Sequence, residues 1–352
     1  MSDDPLPAVA ARLRRFADIE CESSPLYQSL SRTAAEVPEL LSALIERGDG
    51  QPPANILLAS VHRLLMERTD EPLRAFYPNL HGETRPLSEA PPIFRRFCLD
   101  HLDELRALIR SRRVNTNEIA RIGPLLPALH AAKAAASGGD EKPVHLIEIG
   151  ASAGFNLLFS EVFVDYGSAS CGPVDAPVHI RCDWRAGDLQ PPTQAPSFDS
   201  LRGLDLVPVN VDDPQEVAWL KALIWPEHRE RFRRLEGAVS LWRQYTPEIA
   251  KGSALDLLPT SLDNLSAGEP VVVFHSFVFY QMDDAIRIQV KEILDRASEK
   301  RRVVRLGFEW APDPGPMISL QTSARGQRSD AITLARAEPH GRWVDWLEQR
   351  AW

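Results

Sequence analysis

The chain has 352 residues, 44% of them hydrophobic and 25% charged, enough apolar material for one large domain or two ordinary ones. Its 49 acidic against 40 basic side chains give a formal charge of −9, which argues against a nucleic-acid partner, whose phosphates call for a basic excess. The longest apolar run, Val271 to Tyr280, is broken by His275 and Ser276 and falls far short of the ~20 residues that span a bilayer, so no membrane partner is expected.

The first 141 residues read as an all-helical domain. Pro7 to Glu20 spaces Val9, Leu13, Phe16 and Ile19 along one helical face, and Ser24-Pro25 supplies an N-cap and a first-turn proline for Leu26 to Glu36. Val37 to Arg47, Ala54 to Arg68 and Pro92 to Arg110 continue the pattern. Asn115-Thr116-Asn117-Glu118 precedes a further helix, Ile119 to Ala136, and reads first as its cap, with a substrate-facing corner as the alternative. Ser137-Gly138-Gly139-Asp140 is the expected linker. Met1 to Pro7, acidic and proline-containing, does not read as a secretory signal. Cys21, Cys98, Cys171 and Cys182 lack both CxxC and metal-ligand spacing, so no metal centre is expected and reduced thiols in a cytoplasmic protein are the default.

From Val144 the period changes. Short apolar runs alternate with helices, the pattern of βαβ units, and residues 142–352 are expected to form an α/β domain on a mostly parallel sheet. Val144 to Ile149 is its first strand, Gly150 to Gly154 a tight turn, and Phe155 to Val164 a short helix whose first N–H groups would favour polar acceptors. Tyr166 to Ala186 reads as an inserted hairpin, and Leu204 to Val211 as a strand ending at Asp212. Helices fill Pro214 to Gln244, where the arginines of Arg229 to Arg234 alternate with glutamates on a solvated face, and Trp225-Pro226 breaks the helix over a packed indole. Strands follow at Ile249 to Ala254, Pro270 to Phe274, Arg302 to Glu309, Met317 to Gln321 and Ala331 to Ala335, with a helix at Asp284 to Glu299.

Ligands of open α/β sheets bind outside the carboxyl ends of the strands. Here those ends carry Glu148 with Gly150, Asp212, Ser253 with Asp256, His275 and Glu309, which would share one rim. The Gly turn has no lysine for a P-loop and lacks two of the three glycines of a dinucleotide fingerprint. It does match GxSxG, the hydrolase nucleophile elbow, with Ser152 as nucleophile and His340, with Glu309 or Asp313, as triad partners. Against that stand the missing strands upstream, which leave Ser152 better explained as a small packing residue. His275, whose ordinary pKa lies near neutrality, could take a proton from an attacking hydroxyl or amine, although a hydrogen-bonded strand-end histidine is the plainer reading. His62, Tyr77 and Tyr280 fit an apolar helical pattern and read as core.

Glu148-Ile149-Gly150-Ala151-Ser152-Ala153-Gly154 also resembles the first motif of Rossmann-like S-adenosylmethionine-dependent methyltransferases, with Ser152 in place of the middle glycine. That resemblance implies S-adenosylmethionine as cofactor, held by Glu148, Gly150, Ser152 and Gly154. It implies Asp212 as the acid for the ribose diol, Ser253 beside the adenine, and His275 near the methyl-transfer position. Over nearly its whole length the chain resembles a bacterial family, domain of unknown function 2332. The resemblance rests on Ser24-Pro25-Leu26-Tyr27, Ala75-Phe76-Tyr77-Pro78, Thr116-Asn117-Glu118, Gly150 to Leu158, Trp225-Pro226 and Phe274-His275-Ser276. It names no reaction, but draws attention to Asn117, Glu118 and His275, the first two as substrate-facing residues. The expectation is a Rossmann-like, methyltransferase-type mostly parallel sheet with an N-terminal all-helical domain, transferring a methyl group to a small-molecule substrate. A serine hydrolase using Ser152 and a non-catalytic ligand-binding or interaction protein are the alternatives.

Overall fold

The computed structural model describes residues 5–82, 85–115, 117–185, 189–311 and 315–348. It divides into two compact units, Met1–Thr116 with Asp213–Arg233, and Asn117–Asp212 with Arg234–Trp352.

The first unit is helical: α1 (Leu6–Arg15), α2 (Pro25–Ala34), α3 (Pro38–Ile45), α4 (Pro53–Glu67), α5 (Ala90–Asp100) and α6 (Leu102–Ser111). Ser24 caps α2 as its sequence suggests, its hydroxyl accepting the Tyr27 amide at 3.2 Å. The single helix expected over Pro92 to Arg110 is instead two, because His101 leaves helical geometry and spends its ring nitrogens on Glu104 at 3.0 Å and Glu71 at 3.1 Å. The core gathers Leu13, Leu30, Leu57, Phe76, Tyr77 and Phe94. His62 belongs to it, bonded to Asn79 Nδ2 at 2.9 Å and the Ala222 carbonyl at 3.1 Å, and burial pushes its pKa down to about 4.

The second unit begins with α7 (Ile122–Ser137), which precedes the Gly138-Gly139 turn. Then come β1 (His145–Ile149), β2 (Phe163–Asp165), β3 (Ser170–Cys171), β4 (His179–Arg181), β5 (Asp183–Arg185) and β6 (Ser200–Asp205). Helix α8 (Pro214–Ala222) and the start of α9 (Arg229–Tyr245) belong to the first unit. The chain finishes with β7 (Ile249–Lys251), α10 (Ala254–Asp263), β8 (Val271–Ser276), α11 (Asp284–Ser298), β9 (Val303–Glu309), β10 (Met317–Ala324), β11 (Gln327–Arg328), β12 (Ile332–Ala337) and β13 (Trp343–Trp346).

The main sheet runs β5-β13-β12-β10-β9-β8-β1-β6-β7. From β7 to β9 all neighbours are parallel, whereas β10, β12 and β13 are antiparallel to the strand before them and β5 closes the far edge parallel to β13. No described residue before β1 is in a strand. Continuous Val271–Phe274 forms the fully buried β8, as expected of a central parallel strand. Side chains alternate between the faces of a strand. Ile147, Ile149, Val271, Val273 and Val303 pack with Leu258 and Leu262 of α10 and Val290 and Leu294 of α11. Leu146, Glu148 and Phe274 therefore point to the other face, where α7 lies along β8 and β9.

Three expectations need correction. The stretch Phe155 to Val164 is no α-helix but a single 3-10 turn, Phe155–Leu158, after which Phe163–Asp165 pairs with β3 and β4 in a small separate sheet. The helix-terminus argument for the Gly turn therefore lapses. The hairpin expected over Tyr166 to Ala186 becomes that three-stranded sheet plus edge strand β5, with Ala186 outside the described residues. The strand expected over Leu204 to Val211 ends at Asp205, whose carboxylate accepts the Val207 amide at 2.8 Å and turns the chain, and Pro208 has no N–H with which to continue the ladder.

Candidate functional site

Strand order reverses at β1, whose neighbours β6 and β8 both follow it in sequence and lie on its two sides. Such a reversal opens a crevice at the carboxyl ends. The Gly turn leaves β1 there, with the Gly150 and Ala151 amides bonded to the Leu204 carbonyl at 2.8 and 3.2 Å. Gly150 and Gly154 adopt φ of 76° and 73°, and a Cβ on them would strike Val278 and Ile249 side chains. Their smallness thus serves backbone conformation and packing against protein.

Ser152 sits at φ 53°, left-handed geometry that a side chain rarely adopts. Three neighbours hold it there. Its amide donates to Asp205 Oδ2 at 2.8 Å, its hydroxyl accepts Asn117 Nδ2 at 2.8 Å, and its carbonyl accepts the Val209 amide at 3.1 Å. Asn117 Oδ1 also takes the Ala153 amide at 3.0 Å. Asn117 is thus a clamp on the turn. The cap expected of the Asn and Thr side chains falls instead to Glu118, which accepts the Ala120 amide at 3.2 Å at the start of the short 3-10 turn Ile119–Arg121 and lies 3.7 Å from Arg234.

Glu148 is buried on the α7 face beside this turn. Asn156 Nδ2 donates to its Oε1 at 2.8 Å, while Oε2 is buried with no hydrogen-bond partner among the described residues. Burial pushes its pKa up to about 8; the Asn156 bond opposes that, the Asp205 charge adds to it and the Arg121 charge opposes it. By register Gly203 and Phe274 flank Glu148, so Asp205 and Ser276, two residues further along their strands, share its face. The Ser276 hydroxyl is likewise buried without a partner among the described residues. Arg121, buried, donates Nε to the Pro339 carbonyl at 2.9 Å and lays its guanidinium 4.3 Å above the Phe277 ring.

His275 stands at the same strand ends on the opposite face. Its Nδ1 lies 2.7 Å from Glu309 Oε1, and its ring stacks on Phe279 at 3.6 Å between centroids. Burial lowers its pKa, against the Glu309 hydrogen bond and charge, and its Nε2 is buried with no hydrogen-bond partner among the described residues. Glu309 further accepts the Val278 and Phe279 amides at 3.0 Å and the Tyr280 amide at 3.4 Å. Burial alone would raise its carboxyl, but these donors outweigh it and hold it below the usual range. Tyr280, read from sequence as core, is half exposed.

The structure thus brings Asn117, Glu148, Gly150, Ser152 and Gly154 together, and keeps Glu118 at its own cap and His275 on the other face. Asp212 lies seven residues beyond the end of β6, exposed, and the acid at that strand end is Asp205. Ser253 caps α10, its hydroxyl accepting the Leu255 amide at 3.2 Å. Of the triad candidates for Ser152, Glu309 is engaged by His275, His340 is bonded to Glu338 at 3.2 Å, and Asp313 lies outside the described residues, as does Thr116. Sequence reading missed Asp205, Ser276 and Arg121. Pro208, just after Asp205, was the available signal that the strand stops early. No group of metal-ligating side chains occurs among the described residues, and no described helix is long and apolar enough to cross a membrane.

Residues 10–346 match a protein family described as "Uncharacterized protein conserved in bacteria (DUF2332)". No curated protein matches the chain.

Proposed function

The chain belongs to this DUF2332 family, and on that premise we propose that the parallel half is a Rossmann-like, methyltransferase-type sheet that uses S-adenosylmethionine to methylate a small molecule. One observation carries the reading: adjacent strands β1 and β8 present two buried polar atoms, Glu148 Oε2 and Ser276 Oγ, that lack a hydrogen-bond partner among the described residues, on one face of the crevice beside the Gly turn. Leaving such atoms unsatisfied costs about 1–3 kcal/mol each, which a ligand's hydrogen bonds would recover.

The residues fit the cofactor by their chemistry. Glu148 and Ser276 would hold its ammonium, and a bound cation would favour the ionised form of Glu148. Asp205, though each oxygen already takes one amide, has lone pairs left for a ribose diol. When bound, the cofactor supplies an activated methyl group. The protein's part is to align the acceptor and exclude water, with Asn117 and Asp205 fixing the turn. In this reading Asp205 replaces Asp212 as the ribose acid, and the His275–Glu309 pair shapes the turn after β8, with Nε2 the atom at which His275 would take a proton. The charge of −9 favours a small-molecule acceptor over a nucleic acid, and the buried free cysteines favour a cytoplasmic setting. Calorimetry with S-adenosylmethionine and its demethylated product tests this: binding that Asp205→Ala weakens by about tenfold to a hundredfold supports it, and no heat at millimolar cofactor rejects it.

The serine hydrolase is a second reading, favoured by the φ of 53° at Ser152 within GxSxG. Stoichiometric labelling by a fluorophosphonate, abolished by Ser152→Ala, would establish it in place of the first. Cofactor binding without turnover on any acceptor would favour the non-catalytic alternative.

A further inference from the structure

A second cleft lies along the flank of α11, at β9, β10 and β11, away from the strand ends described above. Lys291 and Asp295 of α11, Arg305 of β9, Gln321 and Ser323 of β10 and Arg328 of β11 line it. Three cations therefore face one carboxylate, on a chain whose overall charge is −9. That carboxylate is already engaged: Arg328 grips Asp295 through Nε at 3.0 Å and through Nη2. Arg305 donates Nη2 to Gln321 Oε1 at 3.3 Å, and Gln321 is itself fixed by donating Nε2 to the Ser329 carbonyl at 2.9 Å. The Arg305 Nε is buried without a hydrogen-bond partner, and neither Arg305 nor Lys291 has a carboxylate within ion-pair distance among the described residues.

Two positive charges are thus held in one cleft without a direct ion pair among the described residues, with Asp284 near Lys291, and Glu309 and Asp295 near Arg305, as partial counter-charges. Burial lowers the pKa of both Lys291 and Arg305; the charges of Arg305, Arg328 and Arg287 lower Lys291 further against Asp284, and that of Arg328 lowers Arg305 further against Glu309 and Asp295. A folded chain keeps such an arrangement at a cost in stability unless something neutralises it. A guanidinium with a spare N–H, an ammonium and a serine hydroxyl suit a tetrahedral oxyanion, and two excess charges suit a dianion better than a monocarboxylate.

We propose that this cleft, lined by Lys291, Arg305 and Ser323 and braced by the Arg328–Asp295 pair, binds a phosphate group, either free or as the terminal phosphate of a small molecule. The site is separate from the crevice at β1, and the proposal stands whether or not methyl transfer does. Its test is calorimetry at low ionic strength with inorganic phosphate, ribose 5-phosphate and acetate, on the full chain and on folded Lys291→Gln and Arg305→Gln variants. Phosphate should bind and acetate should give no heat, with each variant weakening binding about tenfold or more. Tighter binding of ribose 5-phosphate than of inorganic phosphate identifies a carried phosphate, and equal binding a free one. Absence of heat with both phosphates at millimolar concentration overturns the proposal. So does unchanged affinity in Lys291→Gln, whose half-exposed side chain can be replaced without disturbing the core.

Discussion

At the carboxyl ends of the parallel strands each face of the sheet holds a glutamate, and the two meet opposite fates. Glu309 collects a histidine N–H and three backbone amides, and its pKa falls although burial pushes the other way. Glu148 collects one hydrogen bond from the Asn156 side chain, keeps one oxygen with no partner among the described residues, and burial pushes it up to about 8. The same side chain near the strand ends, on opposite faces, is thus a structural latch in one place and an unfinished acceptor in the other. What differs is the count of donors that the fold delivers, and an acceptor left short is where a ligand has most to contribute.

That contrast can be broken first at the latch. Glu309→Ala strands the His275 ring and the Val278, Phe279 and Tyr280 amides, and should destabilise the protein by about 3 kcal/mol in denaturant titration. A loss below about 1 kcal/mol would show that Glu309 is no latch.

Glu148 should respond with the opposite sign and with pH. Its carboxyl is neutral in the folded chain up to about 8 and ionises near 4.5 when unfolded. The stability linked to it is therefore full below about 4.5 and declines as pH rises toward 8. Glu148→Gln, which cannot ionise, should flatten that decline, so the variant should gain on the parent chain between melts at pH 5 and pH 8. A parallel decline in both proteins would mean that another group carries it.

Asp205→Ala tests the open face for ligand affinity. It should weaken S-adenosylmethionine binding by about tenfold to a hundredfold, the value of a hydrogen bond to a charged group. Asp212→Ala, at an exposed position, should leave both binding and stability within about 0.5 kcal/mol of the parent. The reverse ranking would restore Asp212 to the site and remove Asp205.

The effect expected at the clamp is smaller than at the latch. Asn117→Ala loses a donor to Ser152 and an acceptor for the Ala153 amide, and should cost about 1–2 kcal/mol while freeing the turn to exchange amide hydrogens faster. Unchanged exchange at residues 151–154 would show that Asp205 holds the turn without help.

Local chemistry was enough to read much of this chain. The alternation from Val144 onward marks strands and helices, because a parallel strand buried on both faces must be an apolar run such as Val271–Phe274, and Ser24-Pro25 starts a helix wherever it stands. Turn residues likewise fixed the Gly150–Gly154 bend, since left-handed backbone favours glycine at its two ends. Only the tertiary structure decided which polar strand ends meet. Glu148 and His275 lie next to each other in height, but strand alternation sends them to opposite faces, and that depends on the β1–β8 register rather than on either segment. The end of β6 was decided by Asp205 capturing the Val207 amide, a local bond whose competitor was a ladder of long-range ones. Asn117 reads in sequence as a helix cap and becomes a clamp because folding brings Ser152, 35 residues away, within 2.8 Å. Sequence carries each residue's donors and acceptors; their partners are set by distances that exist only after the chain has closed.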